Sequence, residues 1–160
     1  MRTFLLLFSL TMCLNSFGQS ISIKDSMEVA SIINNWNHAW NIKSHLLASK
    51  WYSEDAKFTN AFGDKRSGRK EIEALLKEVF SLSFVMSGKS DAVFQKFNFM
   101  ADNVIFVQTE VIRKGQAMPD KTVIADRKTT HLRVFRKNEY GWQIEAHLIS
   151  DARDKQSHKH

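Results

Sequence analysis

Between Trp51 and Ile72 the chain changes its hydrophobic period from two to about 3.6, so one short stretch must supply both a strand and a helix. Ala56, Phe58, Asn60 and Phe62 recur at every second position, with Lys57 and Thr59 between them, the spacing of one half-buried strand. Gly63-Asp64 ends the alternation. Ser67 or Gly68 then stands where a helix needs its cap, and Glu71 falls in the first turn, where the helix dipole favours an anion. Ile72, Leu75, Leu76, Val79 and Phe80 follow at i, i+3, i+4, i+7 and i+8, so a helix of about three turns begins there. A strand, a glycine turn and an amphipathic helix in immediate succession read as a hinge between layers of a mixed α and β fold.

The flanks extend that pattern. From Ile23 to Trp40, the apolar residues Val29, Ile32, Ile33, Trp36 and Trp40 share one helical face, which packs inward. Two tryptophans one turn apart serve either as core or as the wall of a ligand pocket. Asn41 to Lys43 breaks this helix, and Ser44 caps a short second one. Phe80 to Ser90 reads as a connection. Val93 to Phe99 and Val104 to Arg113 read as a hairpin turning at Ala101-Asp102-Asn103, and Lys114 to Lys121 as a loop. Thr122 to Arg136 and Trp142 to Ser150 form a last strand pair, turning at Asn138 to Gly141.

Two candidate chemistries sit on these strands. Glu110 is the carboxylate of its strand, either a rim residue paired with a basic side chain or a pocket acid. On the final pair, Leu132, Val134, Trp142, Ile144, Ala146 and Leu148 form an apolar set. Thr129, His131, Arg133, Gln143, Glu145 and His147 form a polar one with Phe135 among them. If the apolar set faces the core, His131, Arg133, Glu145 and His147 become neighbours on the other face, as a catalytic patch or as a surface for solvent or a second subunit. A metal site would need a third ligand that the strands do not supply, so none is assigned.

The N-terminus has the form of a secretory signal over residues 1–18: Met1-Arg2-Thr3, an apolar run from Phe4 to Leu14, and small residues before a cleavage point at Gly18. That run is too short to span a bilayer, so no stable membrane insertion is expected. Export to the periplasm or the extracellular space follows. A lipid anchor on Cys13 would need a small residue before it, where Met12 stands. Beyond the leader there is no cysteine, which removes disulfides and thiol chemistry. Residues 19–150 form one domain with 19 basic and 15 acidic side chains, and the basic ones are spread without a dense run, so no nucleic acid is expected as partner. Residues 151–160 read as a charged, disordered tail.

Taken in order, Trp36 to Trp40, Glu54-Asp55-Ala56-Lys57-Phe58-Thr59-Asn60, Gly63, Gly68-Arg69-Lys70-Glu71-Ile72 and Arg136-Lys-Asn-Glu-Tyr-Gly141-Trp142-Gln-Ile144 form a series. It resembles the SgcJ/EcaC-type branch of the SnoaL-like, nuclear transport factor 2-like (NTF2-like) superfamily, over roughly residues 25 to 152. The resemblance implies an α+β cone in which three helices lie on a strongly curved, mostly antiparallel sheet and enclose a pocket. It implies walls of Trp36, Trp40, Tyr52, Phe58, Asn60, Leu132 and Leu148, taking a small apolar or aromatic molecule without a cofactor; Asn60, the one polar residue on its strand face, either orients that molecule or bonds a neighbouring backbone group. Ser44 stands where many relatives carry an aspartate, and Leu148 or Ile149 where they carry a histidine or asparagine. Acid–base equipment is thereby reduced to His131, His147 and Glu110 as candidates. The alternatives implied are a SnoaL-like isomerase, cyclase or hydratase using pocket histidines, and a non-catalytic dimerisation module. Relatives commonly pair through the outer face of the sheet, which implies a homodimer through His131, Arg133, Phe135 and Glu145. The family's label of oxidoreductase finds no motif here: there is no G-x-G-x-x-G and no P-loop.

Overall fold

A computed structural model describes residues 22–152. The expected leader with Cys13 lies outside the described residues, and of the tail expected from residue 151, Asp151 belongs instead to the last strand, while the residues beyond Ala152 lie outside the described residues. Helix α1 (Ile23–Asn41) starts in a capping box: Ser22 Oγ accepts from the Asp25 amide at 3.1 Å, and Asp25 Oδ2 accepts from the Ser22 amide at 3.1 Å. Its buried stripe is Val29, Ile32, Ile33, Trp36 and Ala39. Helix α2 (His45–Ser49) is capped by Ser44, whose hydroxyl accepts from the Leu47 amide at 3.3 Å.

Strands β1 (Tyr52–Thr59) and β2 (Lys65–Ser67) lead into α3 (Arg69–Ser81), which buries the five residues its spacing predicts, Ile72, Leu75, Leu76, Val79 and Phe80. The expected connection after α3 contains a fourth, one-turn helix, α4 (Ser83–Met86). Strands β3 (Lys89–Ala101), β4 (Val104–Lys114), β5 (Arg127–Asn138) and β6 (Gly141–Asp151) complete a six-stranded, curved and unclosed sheet in the order β2-β1-β6-β5-β4-β3. Among the described residues, only β1 with β6 is parallel. The helices cover one face of this sheet, and the core lies between them. Among the described residues no helix is long and apolar enough to cross a membrane.

The turn into α3 depends on Gly68. Its φ of 87° and ψ of 148° lie in a region that side chains avoid, and a Cβ there would stand 2.8 Å from the Glu54 carbonyl oxygen. Gly68→Ala is expected to cost about 3 kcal/mol by urea denaturation, and a loss below about 1 kcal/mol would show that the turn relaxes freely.

The last strands correct the sequence reading of which face points inward. In β4 the buried residues are Ile105, Val107, Thr109, Val111 and Arg113. Thr109 pairs with His131, Val107 with Arg133, and Ile105 with Phe135, so His131, Arg133 and Phe135 are the inward face of β5. Leu132 and Val134 point outward. In β6 a register shift lies opposite the step from Val134 to Phe135: Val134 pairs with Ala146 and Phe135 with Ile144, leaving Glu145 as an extra residue. Trp142 and Ile144 therefore face inward before the bulge and His147 and Ile149 after it, while Leu148 is 44% exposed. A single alternating pattern could not represent a strand whose parity changes midway.

Candidate functional site

The cone formed by α1, α3, α4 and the inner sheet face holds a cavity of about 60 Å³, or about 690 Å³ counting its open mouth. Trp36 and Trp40, one turn apart on α1, stack at 5.2 Å between centroids, and Phe80 meets Trp40 edge-on at 4.9 Å. Phe58, Leu76, Val79, Val85, Val111 and Ile149 supply the rest of the apolar wall. Phe62, 50% exposed, stands at the mouth beside Arg127, whose guanidinium lies 5.6 Å from its ring and bonds Asp151 at 3.0 Å.

Of the residues the sequence proposed for the wall, Trp36, Trp40, Phe58 and Asn60 line the cavity. Asn60, however, has both ends of its amide engaged: Oδ1 accepts from the amides of Phe62 and Asp64 at 2.9 Å each, and Nδ2 donates to Asp64 Oδ2 at 2.9 Å. It shapes the turn after β1. Tyr52 is buried behind the wall, not on it. Leu132 and Leu148 do not belong to the pocket, because the parity of β5 and the bulge in β6 turn them to the outer face. Glu110 is also outside, paired with Lys128 at 2.7 Å, as its rim reading required.

The expected outer patch is instead the polar heart of the cone. Tyr52 Oη lies 2.6 Å from His147 Nδ1, and His147 Nε2 lies 3.0 Å from His131 Nδ1. Arg133 Nη2 is 3.0 Å from that same Nδ1, and His131 Nε2 is 3.1 Å from Thr129 Oγ1. Glu145 is not among them; it faces Arg136 at 4.0 Å.

The protons in this chain follow from one fixed donor. Arg133 can only donate, so His131 Nδ1 accepts and its proton sits on Nε2, donated to Thr129. His147 Nε2–H then donates to the same Nδ1, and His147 Nδ1 accepts from the Tyr52 hydroxyl. Both histidines are thus neutral. Burial holds them well below the ordinary histidine range, reinforced by the Arg133 charge and then by Arg127 for His131 and by His131 for His147. Burial also raises Tyr52 above the ordinary phenol range, against a smaller opposing pull from Arg133. On the cavity side the chain ends in the Thr129 hydroxyl, which accepts from His131 Nε2–H and can donate its own proton.

Sequence reasoning missed Arg113, Arg127 and Thr129. Arg113 sits at the end of the β4 alternation, where it looks like a strand terminus. Its guanidinium turns back inside, with Nε donating to Ser90 Oγ at 2.9 Å and Nη1 to the Val85 and Ser87 carbonyls at 2.7 and 3.0 Å. The one hint for β5 was Phe135, an aromatic residue in an otherwise polar set.

A helix-covered curved sheet closing on an aromatic cavity is the NTF2-like fold, and this chain has it. A domain with a cystatin-like fold from Nostoc punctiforme superposes with a TM-score of 0.66 at 26% identity, covering 85% of this chain and 82% of that one. A ketosteroid isomerase-like protein from Erwinia carotovora gives 0.72 at 13% identity, covering 83% and 100%, and an NTF2-like protein from Pseudomonas putida 0.71 at 12%, covering 88% and 95%. No protein-family model matches the sequence, and no curated protein does.

Proposed function

We propose that this chain is an exported, SnoaL-like domain of the SgcJ/EcaC type whose cone binds a small molecule with an apolar or aromatic body. The observation that carries the reading is the ring wall: two stacked indoles and Phe58 line a cavity that opens to solvent, and Phe80 backs Trp40 edge-on. The Trp40 indole N–H is buried there without a hydrogen-bond partner, which a bound acceptor atom would supply. The test is titration of bicyclic aromatic compounds against tryptophan fluorescence. Binding is expected in the micromolar range, weakened about tenfold in Trp40→Leu. No response from any compound up to roughly 1 mM would sink the reading.

The tyrosine–histidine–arginine chain favours a second reading, a SnoaL-like isomerase, cyclase or hydratase. There the Thr129 hydroxyl, which accepts from His131 Nε2–H, would donate its own proton to a substrate oxygen, and Arg133 would hold the His131 tautomer that makes this possible. Turnover abolished in His131→Gln while binding persists would establish it.

The homodimer belongs to the same proposal, on a changed basis. The residues first placed at the interface, His131, Arg133 and Phe135, are buried inside the cone. The outer face instead carries Phe106, Leu132, Val134 and Leu148 on adjacent strands, an apolar surface suited to a second copy. Light scattering on protein lacking residues 1–18 should give twice the chain mass, and a monomer at tens of micromolar would exclude the pairing.

A further inference from the structure

Resting on the reading of the cone as a ligand pocket, we propose that its ligand is an organic anion, an aromatic or apolar carboxylate whose charged group meets Arg113 while its body lies against Trp36 and Trp40. Three arginines surround the cavity: Arg113 and Arg127 line it, and Arg133 lies directly behind, 4.9 Å over the Trp36 ring. Arg127 has Asp151 as a partner. Arg113 and Arg133 are 6% and 0% exposed, and neither forms an ion pair with any described carboxylate. A buried cation without a counter-charge is costly, and a domain that retains two of them in one cone is balanced once an anion enters.

The hydrogen-bonding inventory points the same way. Trp40 Nε1, on the cavity wall, is a buried donor without a partner among the described residues, and Arg133 Nε, behind the wall, is another. The unpartnered buried acceptors, Ser53 Oγ and Gln116 Oε1, do not line this cavity. The wall therefore presents an unpartnered donor and, among the described residues, no unpartnered buried acceptor, which suits carboxylate oxygens and disfavours an amine or ammonium.

Arg113 has a structural duty as well, since it holds the carbonyls of Val85 and Ser87. That duty does not require a charge, because Gln116 Nε2 holds the same Val85 carbonyl at 3.2 Å with a neutral amide. Its three hydrogen bonds use Nε and Nη1 and leave Nη2 over, and the guanidinium face lies 5.4 Å above the Trp40 ring. Burial, reinforced by the neighbouring Arg127 charge, pushes the Arg113 guanidinium down to about 10, still a cation at neutral pH. The apolar wall argues against free phosphate, which would leave the ring surface unused.

The deciding experiment compares 2-naphthoate with 2-naphthamide, which share shape and differ in charge, by tryptophan fluorescence on the wild-type protein at pH 7. The acid should bind at least about tenfold more tightly. Arg113→Gln should reduce that preference below about threefold, weakening the acid more than the amide. Arg133→Met should lower the preference and raise the melting temperature, because it removes a buried charge that the free protein does not neutralise. Equal binding of acid and amide to the wild type overturns the charge assignment and leaves the pocket reading standing. If neither binds up to roughly 1 mM, both fall together. A variant that fails to fold does not affect the wild-type comparison.

Discussion

Taking the protein from pH 7.5 to pH 5.5 should remove about 2.7 kcal/mol of folding stability, about 1.4 kcal/mol from each of two histidines. His131 and His147 are 4% and 2% exposed and neutral in the fold, held below the ordinary range by burial and then by Arg133. In the unfolded chain they titrate near 6.5. Below that pH the unfolded state binds two protons that the native state does not, so acidification draws the equilibrium towards unfolding. The loss should steepen to about 2.7 kcal/mol for each further unit while both remain neutral in the native state. Urea denaturation at half-unit pH intervals measures it. His147→Gln, which keeps one donor and one acceptor in place, should halve the slope. A wild-type protein equally stable at both pH values would mean that the histidines are solvated, and the hydrogen-bond chain from Tyr52 to Thr129 would have to be abandoned.

Asp25→Ala should destabilise the protein by roughly 3 kcal/mol, since one carboxylate serves three elements. Asp25 Oδ1 accepts from the Trp142 indole at 2.9 Å and from Lys137 Nζ at 2.7 Å, and Oδ2 accepts from Ser22. It is 8% exposed and ties the start of α1 to the β5–β6 hairpin. Its removal leaves a buried indole N–H without an acceptor and deletes the capping box. Asp25→Asn, which can still accept from Trp142, should lose less than half as much. The carboxyl is held far below the usual carboxylate range, first by Lys137 and then by Trp142 and Ser22. Its contribution is therefore complete above about pH 4 and is lost as pH falls through the lowered value, outside the histidine window. Thermal and urea denaturation of the two variants measure the effect; Asp25→Ala within about 1 kcal/mol of wild type would show the carboxylate to be dispensable.

The acid-labile network and the anion reading have one origin. A cone that buries two arginines and two neutral histidines gives up stability in its free form. Filling it with a carboxylate should recover part of that loss, so stabilisation by ligand should be greater for an anionic compound than for its neutral counterpart.

Local order was legible in the sequence because local physics sets it. The α3 stripe from Ile72 to Phe80, the Ser44 cap, the inward run Ala56, Phe58 and Asn60, and the turn at Gly68 each depend on residues a few positions apart. Helical spacing put the tryptophans of α1 on one inward face, and the order of those pieces carried the resemblance that implied the cone and placed them on its wall. The polar centre was not legible. Both faces of β5 and β6 carry apolar residues, Leu132, Val134 and Leu148 on one and Phe135, Trp142 and Ile144 on the other, so hydrophobic alternation fits either orientation. The choice is made by pairing with β4, where Thr109 fixes His131 inward, and by the bulge at Glu145, which reverses the parity of β6 halfway along. Neither event can be read from the sequence of one strand alone. Register is a property of two strands at once, and so it was the tertiary structure that put His131, His147 and Arg133 inside the cone.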